Sequence, residues 1–148
     1  MTGAQQAQSL RWVAGRRFDD PDAFSNSRVL QQYALAALFI GTSGELTWLQ
    51  TDGWLNGTNK CTWYGVRFVD SVFLFVAVLD LSTTNQLRGS IPSELGSLSS
   101  LTAVFLGSNR LSGTIPSSIE GITQLDRLDL SSNSLTGFIP IQIEDLLQ

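Results

Sequence analysis

An internal repeat in the second half of the chain constrains the fold more than any other feature of the sequence. Residues 76–92, 101–116 and 125–140 align with one another. Successive copies place three landmark residue types 24 positions apart: Asn109 and Asn133; Gly89, Gly113 and Gly137; Pro92, Pro116 and Pro140. One residue is inserted between Leu81 and Asn85 of the first copy. Three matching copies predict a stack of like supersecondary units that share one continuous core.

Each fixed position of the repeat has a physical reason. Leucine or valine at alternate positions predicts a short strand with one buried face, as in Leu79 and Leu81. Stacked copies of this strand form a parallel sheet on the concave side. The asparagine can satisfy backbone groups where the chain leaves the sheet, the glycine permits a tight backbone course, and the proline ends a second extended piece. Apolar pairs at i, i+3 predict short 3₁₀ turns on the convex side: Leu95 with Leu98, and Ile119 with Ile122.

The L-x-G-x-I-P element of each copy resembles the plant-type leucine-rich repeat. This resemblance implies a second short strand in each repeat and a twisted solenoid. The fold class predicted for the chain is therefore α/β, a short right-handed leucine-rich-repeat solenoid with a parallel concave sheet and a helical N-terminal cap. The expected organisation is a cap over residues 1–75 and three repeats over 76–100, 101–124 and 125–148.

The first half of the chain predicts the cap. Apolar residues spaced as on one helix face predict a helix over residues 29–39, capped by Asn26 or Ser27 and ended by Gly41 and Gly44. A shorter helix is expected over residues 4–14, before a turn at residues 19–22. The following segment, with Trp54, Cys61 and Trp63, resembles the tryptophan–cysteine cap of plant-type repeat proteins. Phe68 stands where that cap has its second cysteine, so the usual disulfide cannot form. The order of these features resembles leucine-rich repeat proteins of diatoms and related algae.

Composition argues against most catalytic functions. The 148 residues contain no histidine and one cysteine, which removes the commonest general base and any site built from several cysteines. Asp80 and Asp129 lie two strands apart, roughly 9–10 Å at ordinary strand spacing, and aspartate is common at this repeat position. Asp19, Asp20 and Asp22 lack the glycine and glutamate of a calcium loop and are expected to form a solvated turn. We therefore expect no enzyme activity, no cofactor and no metal, and the net charge of −4 argues against nucleic acid.

The cellular compartment is left open by the sequence. No apolar run reaches the roughly 20 residues of a membrane-spanning helix, and the N-terminus lacks the pattern of a signal peptide. Asn56 begins a glycosylation triplet, and its glycosylation would place the protein outside the cell. In contrast, the missing cap disulfide weakens the argument for an oxidising compartment. The family resemblance implies a cell-surface location. The alternative location is inside an organelle or in a membrane-associated complex. The protein would then associate with a membrane only through its partners or through an upstream segment.

With these functions excluded, the sequence favours a role in binding other proteins through its surface. Two groups of residues are expected to contact a partner. On the concave face they are Val78, Asp80, Ser82, Phe105, Arg127, Asp129 and Ser131; at the open C-terminal edge they are Phe138, Ile143 and Leu146. Aromatic and arginine side chains are the usual energetic anchors of interfaces, which singles out Phe105 and Arg127. The expected function is an accessory or scaffold subunit of a larger assembly. The alternative is part of a receptor or adhesion ectodomain that recognises a peptide or a glycan.

Overall fold

A computed structural model of the chain describes residues 27–55, 63–69, 75–82 and 85–141, together with Ile143 and short helical pieces at 3–4, 7–8 and 11. Several expectations fall outside the described residues: most of the helix over 4–14, the turn at 19–22, Asn26, Asn56, Cys61 and Leu146. The described elements are two α-helices, seven short strands and two 3₁₀ turns.

The expected cap helix is confirmed as α1 (Ser27–Gly41). Its residues from Ala34 to Leu38 are fully buried. The expected stop at two glycines is partly wrong, because the left-handed residue after α1 is Ser43, with φ 59°. Gly44 instead begins a short helix, α2 (Gly44–Thr47). Glycine is needed there since a Cβ atom would clash with the Phe39 ring.

The strands form two sheets. The first sheet contains β1 (Val66–Phe68), β2 (Val76–Asp80), β4 (Ala103–Phe105) and β6 (Arg127–Asp129), in that order. β2, β4 and β6 are parallel, as the repeat predicts, whereas β1 from the cap pairs antiparallel with β2. The second sheet is β3 (Arg88–Ser90), β5 (Arg110–Thr114) and β7 (Ser134–Thr136), all parallel. The cap thus covers the N-terminal edge of the concave sheet.

Asparagine side chains join successive layers of the solenoid. The backbone N–H of Leu87 donates to Asn109 Oδ1 over 3.0 Å, and the N–H of Leu111 donates to Asn133 Oδ1 over 2.9 Å. Asn85 makes the equivalent bond to the cap, where it accepts from the Gln50 N–H over 2.7 Å. The predicted ladder is therefore confirmed, and it continues into the cap.

The glycine and proline positions also behave as predicted. Gly89, Gly113 and Gly137 all have positive φ. Gly89 is the most constrained of the three, because a Cβ atom there would clash with the Gly41 carbonyl oxygen. After each of the first two prolines the chain enters a 3₁₀ turn, η1 (Ser93–Ser97) or η2 (Ser117–Gly121). These turns bury the expected i, i+3 pairs of leucine and isoleucine.

The core runs from the aromatic cap to the last repeat. At the cap end, four rings pack in sequence with centroid distances of 4.9–5.7 Å: Phe39, Trp48, Trp54 and Trp63. Phe68 packs against this core. At the other end the side chains of the core are less buried. Three leucines of the last described repeat are only partly buried: Leu128, Leu130 and Leu135. Their counterparts one repeat earlier are fully buried: Val104, Leu106 and Leu111. The solenoid is therefore closed at its N-terminal end and less covered at the last described repeat.

Candidate protein-binding surface

Two rows of side chains cross the concave sheet in register. One row pairs Asp80 with Phe105, and Phe105 with Asp129. This confirms the predicted arrangement of an aromatic ring between two acids, although Phe105 is half-buried and not fully exposed. Adjacent strands lie about 4.8 Å apart, so the three residues span about 10 Å. An extended segment of a partner can contact all three.

The second row places an arginine at each end of an apolar centre. Arg67 pairs with Val78, Val78 with Ala103, and Ala103 with Arg127. Together the two rows surround Val78, Ala103 and Phe105 with two acids and two arginines. Exposed arginine side chains lie at both flanks, Arg67 from the cap and Arg127 from the last described repeat. An apolar centre with a charged rim is the usual anatomy of a protein interface.

Each acid is held by a serine two residues further along. The Ser131 N–H and hydroxyl donate to Asp129 Oδ1 over 2.9 and 2.6 Å, and Ser82 does the same to Asp80 over 3.3 and 2.8 Å. The hydrogen bonds from the Ser131 hydroxyl and N–H hold the pKa of Asp129 below its ordinary value. Both serines therefore orient a carboxylate on the concave face and do not present a free hydroxyl to a partner.

Gly107 shapes the surface beside Phe105. A Cβ atom at position 107 would lie 2.7 Å from Asp129 Oδ2, so the carboxylate rests against the bare backbone of the middle repeat. A larger residue would push this carboxylate away from the centre of the face. Glycine at this position therefore allows the acid to approach the apolar centre.

A cleft of about 300 Å³ opens where the cap meets the first repeat. The residues that line this cleft come from the segment Tyr64–Arg67 of the cap and from Asp80 and Ser82 of the first repeat. Asp80 N–H donates to the Gly65 carbonyl oxygen over 2.7 Å, which fixes the turn against β2. Sequence reasoning missed Tyr64 and Arg67 as surface residues. The alternation of apolar Val66 and Phe68 with charged Arg67 was the available signal in the sequence for a strand at this place.

The predicted residues of the C-terminal edge separate into different environments. Phe138 is 94% exposed, but Ile143 is 4% exposed and packs in the core. The expectation that Ile143 belongs to an accessible edge is therefore not supported, because its side chain closes the core of the last described repeat. Two exposed apolar side chains that the sequence reasoning missed accompany Phe138: Ile139, at 47%, and Ile141, at 70%.

Charge pairing within the described residues is sparse. The ion pair between Arg127 and Asp126, at 3.6 Å, joins two side chains that are 73% and 79% exposed. An exposed pair of this kind contributes little to stability. Arg127 is therefore available to a partner at little cost. In the same part of the chain no three His, Cys, Asp or Glu residues converge on a metal position, and no helix is long and apolar enough to cross a membrane.

Comparison with known proteins assigns the repeat. Residues 100–122 and 124–146 match the family model described as Leucine Rich Repeat. Together with the two parallel sheets and the helix at the N-terminus, this match makes the chain a short leucine-rich-repeat solenoid. No curated protein matches the sequence.

Solved structures of plant proteins share the fold. The ectodomain of the Arabidopsis thaliana receptor kinase GASSHO1/SCHENGEN3, in complex with CASPARIAN STRIP INTEGRITY FACTOR 2, is 37% identical, with a TM-score of 0.58 over 62% of this chain and 11% of that chain. The ectodomain of the Arabidopsis thaliana receptor kinase SOBIR1 is 25% identical, with a TM-score of 0.56 over 79% of this chain and 61% of that chain. A plant ice-binding protein is 25% identical, with a TM-score of 0.61 over 82% of this chain and 45% of that chain.

These similarities identify the arrangement as the plant type. The chain covers less than two thirds of each of the three proteins, and only about a tenth of the first. The fold is therefore that of plant leucine-rich-repeat ectodomains, at a fraction of their length.

Proposed function

We propose that this chain is a non-enzymatic protein-binding module that serves as an accessory or scaffold subunit of a larger assembly. The observation that carries the proposal is the concave face, where Val78, Ala103 and Phe105 form an apolar centre between Arg67 and Asp80 on one side and Arg127 and Asp129 on the other. Charges of both signs at each flank favour a partner segment with complementary charges at both ends. Phe105 is the anchor, because aromatic rings at the centre of a patch contribute most to binding.

The C-terminal edge is the second surface of this proposal. The first sheet ends at β6 and the second at β7 among the described strands. Phe138, Ile139 and Ile141 expose apolar surface beside that edge. Whatever packs against this edge takes the position that the next layer of the solenoid would take after β6 and β7. We assign this surface to a second contact, made with a further repeat of the same polypeptide or with another chain of the assembly.

The test uses the assembly purified from its source. The chains that co-purify are identified, and binding of each purified chain to wild-type protein is measured by calorimetry. Phe105→Ala is expected to raise Kd by about tenfold or more, which corresponds to roughly 1.4 kcal/mol. Arg127→Ala should also raise Kd. Glu120→Ala, an exposed change on the convex side, is the matched control and should leave Kd unchanged. Unchanged affinity in both concave variants would remove this face from the proposal.

A second candidate is supported by the structural comparisons. Structures similar to this chain include receptor-kinase ectodomains in complex with peptide hormones, such as HAESA with IDA at 25% identity over 96% of this chain. For this candidate the same concave face recognises a peptide or a glycan as part of a cell-surface ectodomain. Glycosylation of Asn56 in material from the native source distinguishes the two candidates, since a cell-surface protein passes through the compartment that attaches the sugar. An unmodified Asn56 favours the subunit.

A further inference from the structure

Two arginines lie side by side on the second sheet. Arg88 of β3 is the in-register partner of Arg110 of β5. Their chain neighbours Leu87 and Leu111 are fully buried, so the alternation of the strands directs both arginines to the outer face of the sheet, where both are exposed. Parallel neighbours lie about 4.8 Å apart, and the two guanidinium groups therefore share one patch of surface.

The positive charge of this pair is not balanced by an ion pair with any of the described residues. Within the described residues neither Arg88 nor Arg110 forms an ion pair, in contrast to Arg127 with Asp126. Like charges directly opposite each other on neighbouring strands are destabilising. The arrangement is also unusual in a chain with 13 acidic and 9 basic residues. An anion bound between the two guanidinium groups would remove the repulsion.

The next row of the sheet adds hydroxyl groups. Ser90 pairs with Ser112, and Ser112 pairs with Ser134. This row lies two residues along the strands from the arginines, on the same face. Ser112 donates its hydroxyl to the Gly89 carbonyl oxygen over 3.3 Å, while Ser134 is exposed. The combined patch offers two planar guanidinium forks and neighbouring hydroxyls, a set that matches carboxylate oxygens.

We infer that Arg88 and Arg110 form an anion-binding patch that receives carboxylates from an acidic segment of a protein partner. Side chains at i and i+2 of an extended segment point the same way and lie about 7 Å apart, a spacing that two arginines on adjacent strands can reach. The inference rests on the proposed protein-binding function, but it concerns the second sheet and not the concave face. The acidic segment docks across the strands, with the serine row beside it.

The test measures binding of a ten-residue oligoglutamate peptide to the full chain by NMR, following the arginine Nε–Hε signals. The signals of Arg88 and Arg110 are expected to shift saturably, and the shift should weaken as salt increases. Arg88→Gln and Arg110→Gln should each raise Kd for the peptide at least tenfold. Arg11→Gln is the matched control, since it removes an exposed arginine that belongs to neither sheet, and it should leave Kd unchanged.

Three outcomes would overturn the inference. They are no saturable shift, equal loss of affinity in Arg11→Gln, and binding of inorganic sulfate or phosphate without binding of oligoglutamate. Relief of like-charge repulsion predicts that each glutamine variant keeps or raises the thermal midpoint, so lost binding cannot be attributed to unfolding. The concave-face test is separate: if Phe105→Ala abolishes partner binding while the two glutamine variants bind oligoglutamate normally, only the acidic-segment inference fails.

Discussion

Asn109 Oδ1 accepts the backbone N–H of Leu87, 22 residues earlier, over 3.0 Å, and so joins two layers of the solenoid through one side chain. The same amide donates to the Leu81 carbonyl oxygen over 2.9 Å and to that of Leu106 over 3.0 Å. Asn109 is 9% exposed, so water cannot readily replace these bonds. The stability of the stack therefore depends on a polar group inside it.

Replacement of this amide should be costly. Asn109→Ala leaves the Leu87 N–H and the Leu81 carbonyl oxygen without this partner, and each unsatisfied buried group costs about 1–3 kcal/mol. The Leu106 carbonyl oxygen still accepts from Asn133 Nδ2 over 2.9 Å. We expect a loss of at least about 2 kcal/mol in the free energy of unfolding. Urea denaturation followed by tryptophan fluorescence measures it. Asn133→Ala is the matched control, because Asn133 is partly exposed and water can replace part of its bonding. Equal losses in the two variants would contradict the account.

Two glycines of equivalent sequence position should differ in their tolerance of alanine. Gly113 has φ +78°, and a Cβ atom added there would meet its nearest neighbour, Ser90 Cβ, at an ordinary contact distance of 3.5 Å. Gly113→Ala should cost about 1–2 kcal/mol from the left-handed backbone alone. Gly89→Ala adds a clash with the Gly41 carbonyl oxygen at the end of α1 and should cost clearly more. Thermal unfolding of both variants provides the comparison, and a Gly113 variant less stable than its counterpart would be inconsistent with the packing described.

The pKa of Asp129 should respond to Ser131. The two hydrogen bonds from Ser131 stabilise the carboxylate and lower its pKa in the folded state. Because this pKa lies below the unfolded value, the bonds add stability above the unfolded pKa, and that stability is lost as the pH falls through the folded pKa. Ser131→Ala should raise the pKa of Asp129 and reduce this acid-dependent loss. Carboxyl ¹³C NMR titration measures the pKa, with exposed Ser117→Ala as the control. A pKa that does not rise would show that the hydroxyl is not the cause.

Phe138 should matter to the surface and not to folding. Its side chain is 94% exposed, so Phe138→Ser should change the free energy of unfolding by no more than about 0.5 kcal/mol. The same change should reduce binding of a hydrophobic dye and weaken any self-association at high concentration, since it removes exposed apolar surface. Sedimentation velocity and dye fluorescence test this. A large loss of stability would place Phe138 in the core, against its exposure.

Much of the fold was predictable because each repeat obeys local rules. The positive φ of Gly89, Gly113 and Gly137, the asparagine ladder and the 3₁₀ turns follow from residue type and spacing. The helix α1 followed from its apolar face. In contrast, the antiparallel pairing of β1 with β2 depends on contacts between distant segments, and it brings Tyr64 and Arg67 to the concave face.

The second sheet shows a different limit of sequence reasoning. Alignment of the repeats places Arg88 opposite Ser112, at the repeat offset of 24. The strands instead pair with an offset of 22, which brings Arg88 beside Arg110. In the first sheet β4 and β6 keep the repeat offset, as in Ala103 with Arg127. The stagger of the second sheet is a property of backbone packing, so the arginine pair is visible only in three dimensions.

The most direct test of the central claim is the mass of the native particle that carries this chain, extracted mildly from its source and measured by native mass spectrometry. The 148 residues have a mass of 16.1 kDa. The proposed subunit role predicts a particle much heavier than the polypeptide to which they belong, and it predicts that dissociation of the particle releases at least one other protein. A particle whose mass equals that of this polypeptide alone would contradict the account.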